Sequence, residues 1–162
     1  MRFAKVRDVK TPTRGTAGSA GIDFYVPNFK KPFIVPAGQD ILIPSGIKAD
    51  IPKGYMLMAA DKSGVVTTRY AQIGANLQPK STASEEPLII GAKIVDEDYQ
   101  GEIHIHLINV GRSTLIIKPG TKIAQFILVP AFYDSLEEVP ENELFSEKSE
   151  RSAGAFGSTG NF

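Results

Sequence analysis

Pro36-Ala-Gly38-Gln-Asp40-Ile-Leu-Ile-Pro44-Ser-Gly46-Ile-Lys-Ala-Asp50-Ile-Pro52-Lys-Gly54 sets three Pro-x-Gly triplets eight residues apart, with short β-favouring runs between them. Turn residues recurring at that interval predict an antiparallel sandwich or barrel. Working outward, Pro119-Gly120 repeats the device before Lys122-Ile-Ala-Gln125-Phe-Ile-Leu-Val129. Glu102 to Leu107 is the clearest strand. Ile103, Ile105 and Leu107 face one way, and Glu102, His104 and His106 face the other, a period of two. No segment longer than about ten residues carries a helical period; Val139 to Phe145 has room for a turn or two. Ser81 to Glu86 reads as a polar loop.

At 162 residues the chain has the length of one domain, and its 42% hydrophobic content is enough for a core. It has no cysteine, which excludes a disulfide scaffold, a Cys-ligated zinc site and a thiol nucleophile. Two histidines make a His-rich metal site or a His-based triad hard to build. No apolar run approaches the roughly 18 residues of a membrane span. The opening Met1-Arg-Phe-Ala-Lys-Val-Arg-Asp-Val-Lys10 lacks the apolar centre of a signal peptide. Eighteen basic and eighteen acidic residues cancel, which argues against a long phosphate backbone as partner. The expectation is a soluble cytoplasmic protein with neither a membrane nor a nucleic-acid partner.

The charge is uneven in place. Residues 1–30 carry Arg2, Lys5, Arg7, Lys10, Arg14 and Lys30 against Asp8 and Asp23, and residues 134–150 carry seven acids against Lys148. The acidic stretch is polar and poor in aromatics, and it reads as a tether with little core of its own. The Gly/Ser-rich run 151–162 follows it. Arg151, Phe156, Ser158 and Thr159 among glycines combine a phosphate fork, a stacking ring and two hydroxyls. Composition alone favours a frayed terminus, and the combination of Arg, Phe and Ser-Thr within nine residues brings the two readings level.

Three other stretches carry candidate chemistry. Asp61-Lys62-Ser63-Gly64 at a strand end offers a cation, a hydroxyl and backbone N–H groups to a phosphate, although it lacks the P-loop pattern. Val95-Asp96-Glu97-Asp98-Tyr99-Gln-Gly101 gathers carboxylates beside a tyrosine. Asp96, after an apolar run, is the acid expected to be partly buried and able to act as a general base on a bound water; an acid-rich turn is the alternative. Gln125 in an apolar strand needs a partner, because an unpaired buried amide is costly. It is a satisfied core amide or a ligand contact. His104 and His106, two residues apart without a third ligand, read as a solvated face.

Taken in order, these stretches resemble the trimeric-type dUTP diphosphatase (dUTPase) family. Ala17-Gly-Ser-Ala-Gly-Ile-Asp23 is similar to its AGxDL motif, and Lys62-Ser63-Gly64 stands where it has Arg-Ser-Ser/Gly. Gly91-Ala-Lys-Ile-Val-Asp96-Glu-Asp-Tyr99-Gln-Gly101-Glu is close to GxGVIDxDYxGE. Pro119-Gly-Thr-Lys122-Ile-Ala-Gln125 is similar to GDRIAQ, and Arg151 to Gly160 to RGxGGFGSTG. The resemblance implies an all-β, single-domain jelly roll of the β-clip type over residues 1–133. It also implies an acidic tether at 134–150 and a flexible C-terminal arm at 151–162 that closes the active site.

The implied reaction is hydrolysis of dUTP to dUMP and pyrophosphate by a homotrimer with Mg2+. Asp96 would polarise the water that attacks the α-phosphorus. Asp23 would act on the metal through water only. Lys62, Ser63, Gly64, Gln125, Arg151, Ser158 and Thr159 would bind the phosphates. Gly91, Lys93, Ile94, Tyr99, Phe156 and Gly157 would bind uracil and deoxyribose, with the backbone of a hairpin from Gly91 to Val95 reading the base edge. The cations that count for the triphosphate are Lys62, Arg151 and Lys122. The chain departs from the pattern in three places. Lys62 replaces Arg, Lys93 replaces Gly, and Gly64 and Asp96 lie 32 residues apart, about twice the family's spacing, which implies an insertion within about 66–87. Two alternatives are a dCTP deaminase of the same fold and a dUTP-sensing regulatory protein acting through that insertion.

Overall fold

The structure, a computed structural model, describes residues 1–62 and 88–149. Ser63, Gly64, the expected insertion at 66–87 with its polar loop, and the arm residues Arg151, Phe156, Gly157, Ser158 and Thr159 lie outside the described residues. Two compact units divide the chain, Met1–Phe132 and Tyr133–Phe162.

The described residues of the first unit form β-strands and connecting loops, as the turn spacing predicts. Its strands are β1 (Arg2–Lys5), β2 (Thr13–Arg14), β3 (Ile22–Tyr25), β4 (Phe33–Val35), β5 (Asp40–Pro44), β6 (Ile47–Asp50), β7 (Tyr55–Ala60), β8 (Leu88–Ile90), β9 (Ile94–Val95), β10 (His104–Asn109), β11 (Leu115–Ile117) and β12 (Lys122–Pro130). Among the described residues four antiparallel sheets run β2-β3-β12-β7-β9, β5-β10-β8, β1-β6 and β11-β4. In each sheet strands distant in sequence are neighbours.

The proline-glycine punctuation is the local cause. Gly38, Gly46, Gly54 and Gly120 all take positive φ, between 71° and 81°. Gln39 N–H donates to Pro36 O, Tyr55 N–H to Pro52 O and Thr121 N–H to Lys118 O. These are four-residue turns with glycine third, where a side chain would be strained. Each turn ends one strand and starts the next.

The core draws from every layer. Phe24 of β3 and Phe126 of β12 are each 1% exposed, with ring centroids 4.4 Å apart. Val35, Ile43, Leu57, Leu107, Leu115 and Ile117 are fully buried around them. Side chains of this size contribute roughly 1.5–3 kcal/mol each on burial. In β10, Ile105 and Leu107 are buried while His104 and His106 face outward, the alternation expected from sequence.

β12 departs from strict alternation. Its register against β3 shifts between Lys122 and Ala124, so Ile123 and Ala124 are both buried. Such a bulge re-aims the side chains on either side of it, here Lys122 and Gln125. Asn109, fully buried, bolts the end of β10. Its Nδ2 donates to Val35 O and Ser113 O, and its Oδ1 accepts from Gly111 N–H. In the second unit Glu141–Glu143 forms one 3-10 turn with no buried residue.

Candidate active site

Asp23 is the centre of the clearest polar cluster. It sits in β3 between Thr13 of β2 and Gln125 of β12, and is only 5% exposed. Burying a carboxylate needs compensating charge. Lys62 Nζ lies 3.1 Å from Oδ1, and Lys122 Nζ, placed by the bulge, 2.7 Å from Oδ2. Burial pushes the Asp23 carboxyl up, but the hydrogen bonds from Lys122 and Lys62 outweigh it and hold the group below its ordinary 3.8. Asp23 in turn raises the Lys122 ammonium above its ordinary 10.5. Two cations thus meet on one carboxylate.

Gln125 joins this cluster from β12. Its Nε2 donates to Asp61 O at 2.8 Å. Gly21 makes room for it, because a Cβ there would run into the Gln125 amide. Arg14 Nη1 donates to the carbonyls of Ser19 and Ala20 and holds the loop that leads to Asp23. Asp61 Oδ1 accepts from Ile90 N–H at 2.6 Å and ties the end of β7 to β8. The structure thus brings Asp23, Lys62 and Gln125 together, as the motifs imply. It adds Lys122, counted in the sequence only as a nearby cation, as a direct partner of Asp23. It also adds Asp61, which the sequence singled out only as part of a turn.

The segment expected to read the base differs from expectation. Gly91–Val95 is not a hairpin folded on itself. β8 before it pairs with β10, and β9 at its end pairs with β7, so these residues cross from one sheet to another. Gly91 N–H donates to His106 O, Ala92 N–H to His106 Nδ1, and Ala59 N–H to Lys93 O. The competing sheets explain the difference, since each flanking strand satisfies its backbone on a different neighbour. Ile94 is 53% exposed on the edge strand of its sheet.

Asp96 follows β9 and is exposed, not partly buried as the apolar run before it suggests. The turn explains this. Tyr99 N–H donates to Asp96 O at 3.2 Å, and the carboxyls of Asp96 and Asp98 project outward. Glu97 and Glu102 are the acids drawn inward. Glu97 accepts from Gly54 N–H. Glu102 accepts from Arg7 Nε and Nη2 and from Gly46 N–H. The Arg7 guanidinium holds Glu102 below its ordinary 4.5 despite partial burial. Tyr99 donates its hydroxyl to Glu102 O, and its ring covers Gly101, where a Cβ would strike it.

Among the described residues no three His, Cys, Asp or Glu groups converge to cage a metal. Both Asp23 oxygens are engaged by lysines, so this carboxylate fits a water-mediated role better than direct ligation. Among the described residues no helix is long and apolar enough to cross a membrane.

A dUTPase family model matches residues 63–160. The chain is 38% identical over 149 residues to the deoxyuridine 5'-triphosphate nucleotidohydrolase of Chlamydia pneumoniae, covering 92% of this chain and 90% of that one. The solved dUTPase of Staphylococcus bacteriophage 80alpha with dUPNHPP superposes with a TM-score of 0.76 at 20% identity, over 98% of this chain and 97% of that one. The native EIAV dUTPase gives 0.61 at 22% identity, over 88% and 98%. The two structural likenesses establish the fold as the all-β jelly roll of those enzymes. A family model spanning more than half of the residues and a relative this similar over nine-tenths of both chains agree with that fold, and the chain belongs to the dUTPase family.

Proposed function

We infer that the chain is a dUTP diphosphatase, hydrolysing dUTP to dUMP and pyrophosphate. The similarity to the Chlamydia pneumoniae nucleotidohydrolase across nearly the whole length carries this conclusion. The two lysines, Lys62 and Lys122, gathered at Asp23 beside Gln125 support it, since a triphosphate carries about four negative charges.

In the mechanism we propose, Asp96 holds a water by hydrogen bond and takes its proton as that water attacks the α-phosphorus in line. Lys62, Ser63, Gly64 and Gln125 bind the α- and β-phosphates, where charge builds on the leaving pyrophosphate. Arg151, Ser158 and Thr159 fasten the γ end. Phe156 and Gly157 cover the uracil and exclude water as the arm closes. The backbone of Gly91, Lys93 and Ile94 reads the base edge, and Tyr99 packs against the deoxyribose. A cytosine presents its donor and acceptor reversed, which strands paired groups and rejects it. Mg2+, when bound, would supply neutralising charge to the triphosphate. Asp23 would act on it through water only.

The exposure of Asp96, Ile94 and Tyr99 in one protomer supports sites walled by neighbouring subunits of a homotrimer. In this arrangement residues 1–133 form the body, 134–150 the tether and 151–162 the arm. The enzyme works on the cytoplasmic nucleotide pool. A panel of deoxynucleoside triphosphates assayed for pyrophosphate and ammonia tests the reading. Pyrophosphate from dUTP alone is expected; ammonia from dCTP, or no turnover of dUTP, refutes it. Asp96→Asn is expected to bind dUTP and not turn it over, and near-parental turnover refutes Asp96 as the base.

A further inference from the structure

His106 stands on the outward face of β10, where the sequence pattern placed it beside His104 as a solvated pair. The structure gives it a different environment. Its ring lies against Gly91, where a Cβ would come within 2.5 Å of Cε1 and 2.9 Å of Cγ. Nδ1 accepts the Ala92 amide proton at 3.1 Å, and Nε2 lies 2.8 Å from Asp40 Oδ2. The His106 side chain is 24% exposed. Its own carbonyl accepts the Gly91 N–H at 2.9 Å.

These contacts define one tautomer. A ring nitrogen that accepts an amide proton carries none itself, so the proton is on Nε2 and is donated to Asp40. One imidazole therefore satisfies the Ala92 N–H between β8, which pairs with β10, and β9, which pairs with β7. One residue on, Lys93 O accepts from Ala59 N–H. The crossing segment is thus pinned on one side by His106 and on the other by β7. Gly91 matters here for space: its missing side chain lets the ring approach.

We propose that His106 is a positioning residue for base recognition, using Nδ1, with its tautomer set by Asp40, to fix the backbone of Gly91–Ile94. The proposal rests on the reading of that segment as the uracil-binding backbone. A backbone that reads a base by hydrogen bonds must be held in place before the base arrives, because ordering it on binding weakens affinity. The base contacts are the same in ground and transition state, so losing the bolt raises KM and leaves kcat in place.

Two substitutions separate the two ring nitrogens. His106→Asn sets an amide oxygen where Nδ1 stands and gives up Asp40. His106→Gln reaches Asp40 with its amide nitrogen and gives up Ala92. In the full-length enzyme, His106→Gln is expected to raise KM for dUTP about tenfold, the equivalent of one hydrogen bond, with kcat within about twofold. Its preference for dUTP over dCTP falls by a similar factor. His106→Asn is expected to keep KM within about twofold of the parent. Equal effects of the two variants on KM, or a loss that falls on kcat, overturn the proposal.

A measurement on the unsubstituted, nucleotide-free protein does not depend on either variant folding. Imidazole nitrogen NMR is expected to show His106 protonated at Nε2 and bare at Nδ1, and the reverse pattern overturns the bolt itself. Amide exchange at Ala92 separates the bolt from the base reading. If Ala92 loses protection in His106→Gln while KM for dUTP is unchanged, the bolt exists but the segment does not read the base. That result refutes the base-recognition role.

Discussion

Asp23→Asn removes the charge at the centre of the polar cluster while keeping its shape. Two charge-assisted bonds to Lys122 and Lys62, at 2.7 and 3.1 Å, would each contribute about 1.5–3 kcal/mol if sheltered. The lysine side chains are 38% and 31% exposed, so solvent screening puts each near the low end of that range. The amide keeps one acceptor oxygen and leaves two ammonium groups facing each other. The expected loss at pH 7 is about 2–3 kcal/mol, or a melting temperature lower by roughly 4–10 °C for a chain of this size. The pH dependence has a fixed sign. The folded-state pKa of Asp23 lies below the ordinary 3.8. The stabilisation is therefore complete above that value and is lost as pH falls through the lowered one. Urea unfolding of parent and variant at matched protomer concentration, at pH 7 and at pH 3, measures both points. The difference should be largest at pH 7 and clearly smaller at pH 3. An equal difference at the two pH values, or none at pH 7, refutes the ion-pair account.

Gly46→Ala should destabilise by about 1–3 kcal/mol, because the residue has a φ of 74° and its new Cβ would meet Val9 Cγ1 at 2.9 Å; an unchanged urea midpoint contradicts this. Glu102→Gln should be less stable than the parent at neutral pH, with the difference closing as pH drops through the lowered pKa of Glu102, since the Arg7 pair stabilises only the carboxylate. A difference that persists in acid would place its origin in packing. Deleting residues 151–162 should lower dUTP turnover far more than thermal stability, because a Gly/Ser-rich run supplies no core; a large fall in melting temperature at full activity reverses that assignment.

Much of the fold was legible along the chain because its causes are short-range. A proline and a glycine two residues on set a turn by their own φ preferences, and Gly38, Gly46 and Gly54 all take the left-handed backbone that the triplets imply. The alternation from Ile103 to Leu107 similarly needs only the pleat of one strand. The 3-10 turn at Glu141–Glu143 falls inside the stretch that had room for a turn or two. The family motifs in order gave the jelly roll and the dUTPase family, and pointed to Asp23, Lys62 and Gln125, which the structure brings near one another.

Tertiary structure decided what depends on distant partners. Lys62 and Asp23 are 39 residues apart, His106 and Asp40 66, and Arg7 and Glu102 95. No local pattern announces such pairs, because each is made by two sheets or strands meeting after the chain has turned several times. The same holds for Asp96. Its apolar predecessors pointed inward in sequence, but β9 pairs at a sheet edge and the following turn faces solvent. A motif match predicts a hairpin at Gly91–Val95. The segment crosses between sheets because β8 and β9 each satisfy their backbone groups on a different neighbour. By itself the sequence determined the turns, the strand faces and the identity of the chemistry. Only the packed sheets decided which charges meet, which acid is exposed and which histidine holds the crossing, because those follow from strand pairing over long separations.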